Sequence, residues 1–251
     1  MTHKANASHV GSALSVIDIL AALYTGIANI GRNNVHDPER DIVILSKGHA
    51  ASALYSVLAL QGFFPIDWLN RYCEDNSELG GHVTSHSIPG IELSTGSLGH
   101  GLPYGVGVAI SKKMTKVTGR VFIVISDGEC DEGTTWESAL FAAHHELSNV
   151  CVIIDRNRIQ SLGSTESTMR LEPLQQKWNA FGWEARTIDG HNFDEITKCS
   201  APTDKPLVLI AETIKGKGVD FMENSVAWHY KSPSQEELSN AVDQISKGES
   251  D

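Results

Sequence analysis

The stretch "VFIVISDGECDEGTTWESALFAAHHELSNVCVIIDRNRIQ", residues 121–160, carries side chains that could hold a hard cation. Asp127 follows one apolar run, 121–125, while Asp155 and Asn157 follow another, 150–154. Carboxylate and amide oxygens suit Mg²⁺, or else Ca²⁺ or Mn²⁺, rather than zinc. Gly128 and Gly133 let backbone N–H groups approach an anion near the start of the following helix. A carboxylate and a phosphate about 4 Å apart repel by roughly 4 kcal/mol per charge pair at an effective dielectric near 20. A divalent ion between them reverses the sign, so metal and phosphate form one expectation here. An Asp-Gly after a buried strand also serves as a cap or turn, and that plainer reading stays open at this point.

To bring Asp127 and Asn157 together, the two runs must be parallel strands joined by a crossover helix, because ligands collect at the carboxyl edge of such sheets. The rest of the chain fits that demand. Short, branched, near-continuous apolar runs at 41–46, 121–126, 150–155, 184–189 and 206–213 read as strands buried on both faces. Between them, helical patterns fall at 12–27, 50–61, 102–114, 171–181 and 192–199. In "TTWESALFAAHHELS" the residues Trp136, Ala139, Leu140, Ala143 and Leu147 share one stripe, and Thr134 with Glu137 predicts a capping box. His144 and His145, adjacent on that helix, point apart and read as structural. The fold class is α/β, a parallel β-sheet with helices on both faces. One domain covers 1–231, and 232–251 is a polar C-terminal helix and frayed tail belonging to it.

Composition narrows the partners. A net charge of −11 on 251 residues argues against nucleic acid, so any phosphate site must be local. The scattered Cys73, Cys130, Cys151 and Cys199 form no CxxC pair and read as reduced thiols of a cytoplasmic protein. Neither a signal peptide nor an apolar run long enough to span a bilayer is evident, so no membrane partner is expected.

The spaced pair "SDGECDEG…DRNRIQ" resembles the diphosphate-binding motif of thiamine diphosphate (ThDP) enzymes, specifically the transketolases. The resemblance runs through almost the whole chain in the family's order. It includes "SHVGSALSVIDIL", "LSKGHAASALY", "GGHVTSHSIPGIELSTGSLGHGLPYGVGVA", "IDGHN" and "AETIKGKGVDFMENSVAWHY". It is nearest to the amino-terminal, pyrophosphate-binding subunit of split, two-chain transketolases.

That resemblance implies roles. Asp127 and Asn157 would bind the metal through side-chain oxygens, and Ile159 through its carbonyl. Gly128, His49, His229 and Asn157 would meet the cofactor's diphosphate end, with Gly96 and Leu98 touching ThDP from the "STGSLGHG" loop. His9, His49, His82 and His229 would line the channel for sugar or sugar-phosphate substrates. Glu132 and Glu137 match acidic residues at the family's subunit interface, although Glu137 also reads as a cap and a lone histidine as an ordinary surface residue. Gly99, Gly101, Gly105 and Gly107 could serve only tight helix packing.

Some positions depart from the family's pattern. Ser126 replaces the first glycine of GDG, which costs stability if the backbone there needs a positive φ. His100 stands where many transketolases have glutamine, and the spacing of "GGHVTSHSIPG" leaves His82 and His86 in competition for one role. The abrupt start at "MTHKANASHV" suggests that a preceding helix is short or absent. The resemblance implies ketol transfer from a ketose to an aldehyde, with imidazoles moving protons between hydroxyls. It also implies an incomplete enzyme. The activating glutamate belongs to a separate pyrimidine-binding domain, expected on a second, C-terminal subunit in an α₂β₂ assembly. Two other readings remain: another ThDP enzyme component of the 2-oxoacid dehydrogenase type, and a non-catalytic phosphate-binding partner protein.

Overall fold

Strand and helix alternate in the computed structural model, which describes residues 1–85, 88–161 and 163–248. In chain order the elements are α1 (Val10–Ala22, extended by a π-helical turn, Leu23–Ile27), β1 (Ile42–Leu45), α2 (Ala51–Leu60), α3 (Gly101–Thr115) and β2 (Val121–Ser126). Then follow α4 (Gly133–His144), β3 (Val150–Arg156), α5 (Thr165–Thr168), α6 (Leu174–Ala180), β4 (Glu184–Asp189), α7 (Phe193–Cys199), β5 (Leu207–Glu212) and α8 (Gln235–Gly248). All strand pairs are parallel, in the order β1-β2-β3-β5-β4. His86, the competitor of His82, lies outside the described residues.

The period-2 alternation of the strands divides the core in two. Phe122, Val124, Cys151 and Ile153 face the layer of α1, α2 and α7, whereas Val121, Ile123, Ile125, Val152 and Ile154 face α3, α4 and α6. Both faces of β2 and β3 are fully buried, which is why these runs show no polar alternation in the sequence. Ala241 of α8 rests on a small separate cluster with Val219, Met222 and Trp228.

Four local expectations are corrected. α4 starts at Gly133 without a side-chain cap, and the Thr134 hydroxyl instead donates to the Gly99 carbonyl at 2.7 Å. The capping box belongs to Ser126 and Glu129, one turn earlier. Leu140 is 60% exposed and drops out of the predicted stripe, whose Ala139 and Leu147 are buried and whose Trp136 and Ala143 pack against the core, while α4 also turns Thr135, Ser138 and Ala142 inward. The helix expected over 171–181 begins only at Leu174, since the residue before Pro173 is disfavoured in helical geometry. Finally, α1 and its π-turn do make an 18-residue apolar helix, long enough by length and composition to cross a bilayer. Its Val16, Ile19, Leu20 and Leu23 are wholly buried within the layer shared with α2.

Candidate functional site

β2 and β3 are paired in register, with Ser126 opposite Asp155, so the residues after each strand emerge at the same edge. Asp127 opens a 3₁₀ turn, Asp127–Asp131, and is only 1% exposed. Beyond β3, Arg158 adopts a left-handed φ of 66°, and Asn157 and Ile159 on either side of it line the same cavity as Asp127. That cavity, about 340 Å³, also takes in His9, His49, His82, His229, Gly96, Leu98, Gly128 and Glu132. Glu137 is not part of its wall and lies exposed on α4.

The acids at the strand ends are not equivalent. Asp155 is saturated: it receives the Lys47 ammonium, the Ser15 hydroxyl at 2.6 Å, the Asn157 amide at 3.1 Å and the Thr213 hydroxyl. Burial alone would raise its pKa, but Lys47 together with the Ser15 and Thr213 hydroxyls outweighs burial and holds the carboxyl below the usual range. Asp127 has weaker support. Its Oδ2 accepts from Arg158 N–H at 2.7 Å and Arg156 Nη1 at 3.2 Å, and its Oδ1 accepts only from Gly128 N–H at 2.9 Å. Burial, and then Asp155, push it up to about 6. Such a buried carboxylate is short of positive charge.

Cations already border this space. Lys215 donates to the Ile159 carbonyl at 3.1 Å and to His229 Nδ1 at 3.0 Å, and burial followed by Lys47 lowers it to about 8. The imidazoles gather around His9, whose ring centroid is 5.2 Å from His49, 5.6 Å from His82 and 5.0 Å from His229. Burial, then neighbouring His82 and lysines, bring His9 down to about 4; burial and Lys215 bring His229 to about 3. His49 is held well below its ordinary value, again by burial first and then Lys47. At neutral pH His9, His49 and His229 are neutral rings, each with one donor and one acceptor nitrogen, and His229 gives its acceptor, Nδ1, to Lys215.

The family model for the transketolase thiamine diphosphate binding domain matches residues 1–246. The chain belongs to the transketolase family. It is 40% identical over 240 residues to an apulose-4-phosphate transketolase subunit from Actinobacillus succinogenes, covering 94% of this chain and 87% of that one. A 6-deoxy-6-sulfo-D-fructose transketolase subunit, SqwG of a Clostridium species, is 40% identical over 248 residues, covering 97% of this chain and 90% of that one. Among solved structures, transketolase from Campylobacter jejuni superposes with a TM-score of 0.91 at 30% identity, over 98% of this chain but only 40% of that one. The chain therefore spans less than half of the single-chain transketolases it resembles.

The residues of this transketolase domain fit a metal-bound diphosphate. Among the described residues, no three His, Cys, Asp or Glu side chains are placed to hold a metal ion. What the loop offers is a carboxylate, an amide and a carbonyl, the hard-oxygen set that Mg²⁺ takes together with phosphate oxygens. Gly96 has φ 153°, and a Cβ there would stand 2.9 Å from the His82 ring, so only glycine leaves the cavity's shape intact. Gly48 is equally constrained, since a Cβ would run into the Thr95 carbonyl beside His49.

Of the departures from the transketolase pattern, Ser126 is resolved by its backbone, φ −83° and ψ 158°, which any residue adopts. Its N–H and hydroxyl both donate to Glu129 Oε2, at 2.7 and 3.2 Å. Glu129 Oε1 in turn accepts from Gly99 N–H at 3.0 Å and from the Ser46 hydroxyl, tying the 96–101 loop to the acidic loop. His100 caps the same loop, donating to the Leu98 carbonyl at 3.0 Å, and does not line the cavity. A Cβ at Gly99, Gly101 or Gly105 would collide with Glu132, Ser46 or Ile123, whereas Gly107 faces open space. Sequence reasoning missed Lys47 and Lys215, each 1% exposed. Their signal was a lysine beside glycine just past a strand, in "LSKGHA" and "TIKGKG".

Proposed function

We propose that this chain is the cofactor-holding component of a two-component, ThDP-dependent transketolase that moves a ketol unit from a ketose to an aldehyde. The observation that carries the reading is the single cavity shared by Asp127, Asn157, Ile159 and the His9 cluster. Asp127, Asn157 and the Ile159 carbonyl would hold Mg²⁺, and Gly128, His49, His229 and Lys215 would meet the diphosphate. ThDP, when bound, supplies the nucleophilic carbon and the electron sink that C–C bond cleavage next to a carbonyl requires. The imidazoles of His9, His49, His82 and His229 orient the sugar hydroxyls and exchange protons with them.

A second subunit completes the site in an α₂β₂ assembly of the cytoplasm, contributing the glutamate that activates the cofactor's aminopyrimidine. Glu132, on the cavity wall, and Glu137, outside it, then face that subunit rather than the substrate. The two relatives above are named for ketoses that carry a phosphate or a sulfo group, and this chain is proposed to take a donor of that class. Lys47 is committed to Asp155, Lys215 is assigned to the diphosphate, and Asp131 and Glu132 make the cavity's remaining charge negative. The cation that recognises the donor's anionic end therefore belongs to the partner subunit. The test is an assay of this chain alone, its partner alone and the two together, with ThDP, Mg²⁺ and a panel of ketose phosphates and sulfonates. Ketol transfer is expected only from the mixture; turnover by this chain alone would refute the two-component reading.

A further inference from the structure

β3 ends in two charged side chains that leave the strand on opposite faces. Asp155 meets Lys47 on one side, and Arg156, wholly buried, turns to the other. Arg156 Nη1 donates to Asp127 Oδ2 at 3.2 Å and to the Thr165 hydroxyl at 2.7 Å. Nη2 donates to Glu166 Oε1 and Glu172 Oε1, both at 3.0 Å. Those two carboxylates are themselves fixed, Glu166 by the Leu171 N–H at 3.2 Å and Glu172 by the Leu174 N–H at 2.9 Å. One planar guanidinium thus joins the acidic loop after β2 to the segment that runs through α5 to the start of α6.

We propose that Arg156 is a positioning residue for the metal site: its guanidinium pins Asp127 through Oδ2 and leaves Oδ1 with a single N–H partner. The assignment rests on the metal-and-diphosphate reading of the cavity given above. A buried cation beside a metal-binding carboxylate would ordinarily repel the metal, but here Glu166 and Glu172 offset that charge from behind. What remains is orientation. A fork of fixed geometry holds one carboxylate oxygen in place, which a lysine ammonium, lacking the fork, reproduces only in part. Groups that orient a metal ligand in this way commonly govern metal affinity.

The test is Mn²⁺ binding by the full chain with saturating ThDP, read from the free Mn²⁺ signal in electron paramagnetic resonance, for wild type, R156K and R156M. Melting curves and the Mg²⁺ dependence of ketol transfer by the two-component enzyme accompany it. R156M is expected to weaken Mn²⁺ binding about 10- to 100-fold, and R156K by less. In step, the KM for Mg²⁺ rises while kcat at saturating Mg²⁺ stays within about twofold, a split that a merely structural residue would not produce. Should R156M fail to fold, R156K decides: weaker Mn²⁺ binding with a wild-type melting curve supports the assignment, and an unchanged affinity overturns it. Wild-type protein that takes up no Mn²⁺ with ThDP would instead remove the reading of the cavity on which the assignment stands.

Discussion

Ser126 occupies a position where the family's motif has glycine, yet its φ of −83° asks for no glycine. The residue lines the cavity, and its hydroxyl donates to Glu129. Ser126→Gly should therefore destabilise the chain, by about 1–2 kcal/mol, through the lost hydrogen bond and the added chain entropy, as urea denaturation would measure. The histidines make a second prediction at this scale. His9 titrates near 4 in the folded chain and His229 near 3, against an ordinary 6.5, because burial and nearby cations oppose the imidazolium. As pH falls below 6.5 the unfolded chain takes up protons that the folded chain refuses, so stability present above 6.5 declines through the window down to 4 and 3. Asp127 works the other way, since its carboxyl, raised from 3.8 to about 6, binds its proton first in the folded chain. Comparing melting temperatures of the metal-free wild type and His9→Asn from pH 7 to 4 separates them, with a shallower decline expected in the variant.

The elements were legible where burial is two-sided and continuous. The 121–126 and 150–155 runs became β2 and β3 with nearly those bounds, because such strands leave no alternation to misread. The cap of α4 was not legible. Thr134 and Glu137 have the spacing of a capping box, but the hydroxyl finds the Gly99 carbonyl, a partner 35 positions away that no local pattern reveals. The Lys47–Asp155 pair was hidden for the same reason, its partners lying 108 positions apart. That pair ties the turn after β1 to the end of β3, and both side chains are at most 1% exposed. Lys47→Met should leave Asp155 without its counter-charge and cost about 3–5 kcal/mol in chemical denaturation, well beyond the cost of losing a surface ion pair.

At the scale of the whole molecule, the family was readable because several segments recur in order, and the match over residues 1–246 bears that reading out. The expectation of a second chain came from the resemblance alone, because no single residue here announces a missing glutamate. An acidic molecule with charge −11 keeps Lys47 and Lys215 buried on one cavity, where Lys47 offsets Asp155 and Lys215 is the cation that the proposed diphosphate would meet. In the proposed two-component enzyme, Glu132 at the wall and Glu137 beyond it belong to a face that the other subunit covers. Everything proposed for the site depends on a divalent cation joining Asp127, Asn157 and the Ile159 carbonyl to the diphosphate of ThDP. Anomalous scattering from crystals grown with Mn²⁺ and ThDP would locate that ion. One Mn²⁺ peak shared by those three oxygens and the diphosphate is expected; ThDP bound in the cavity with no metal between it and Asp127 would contradict the assignment.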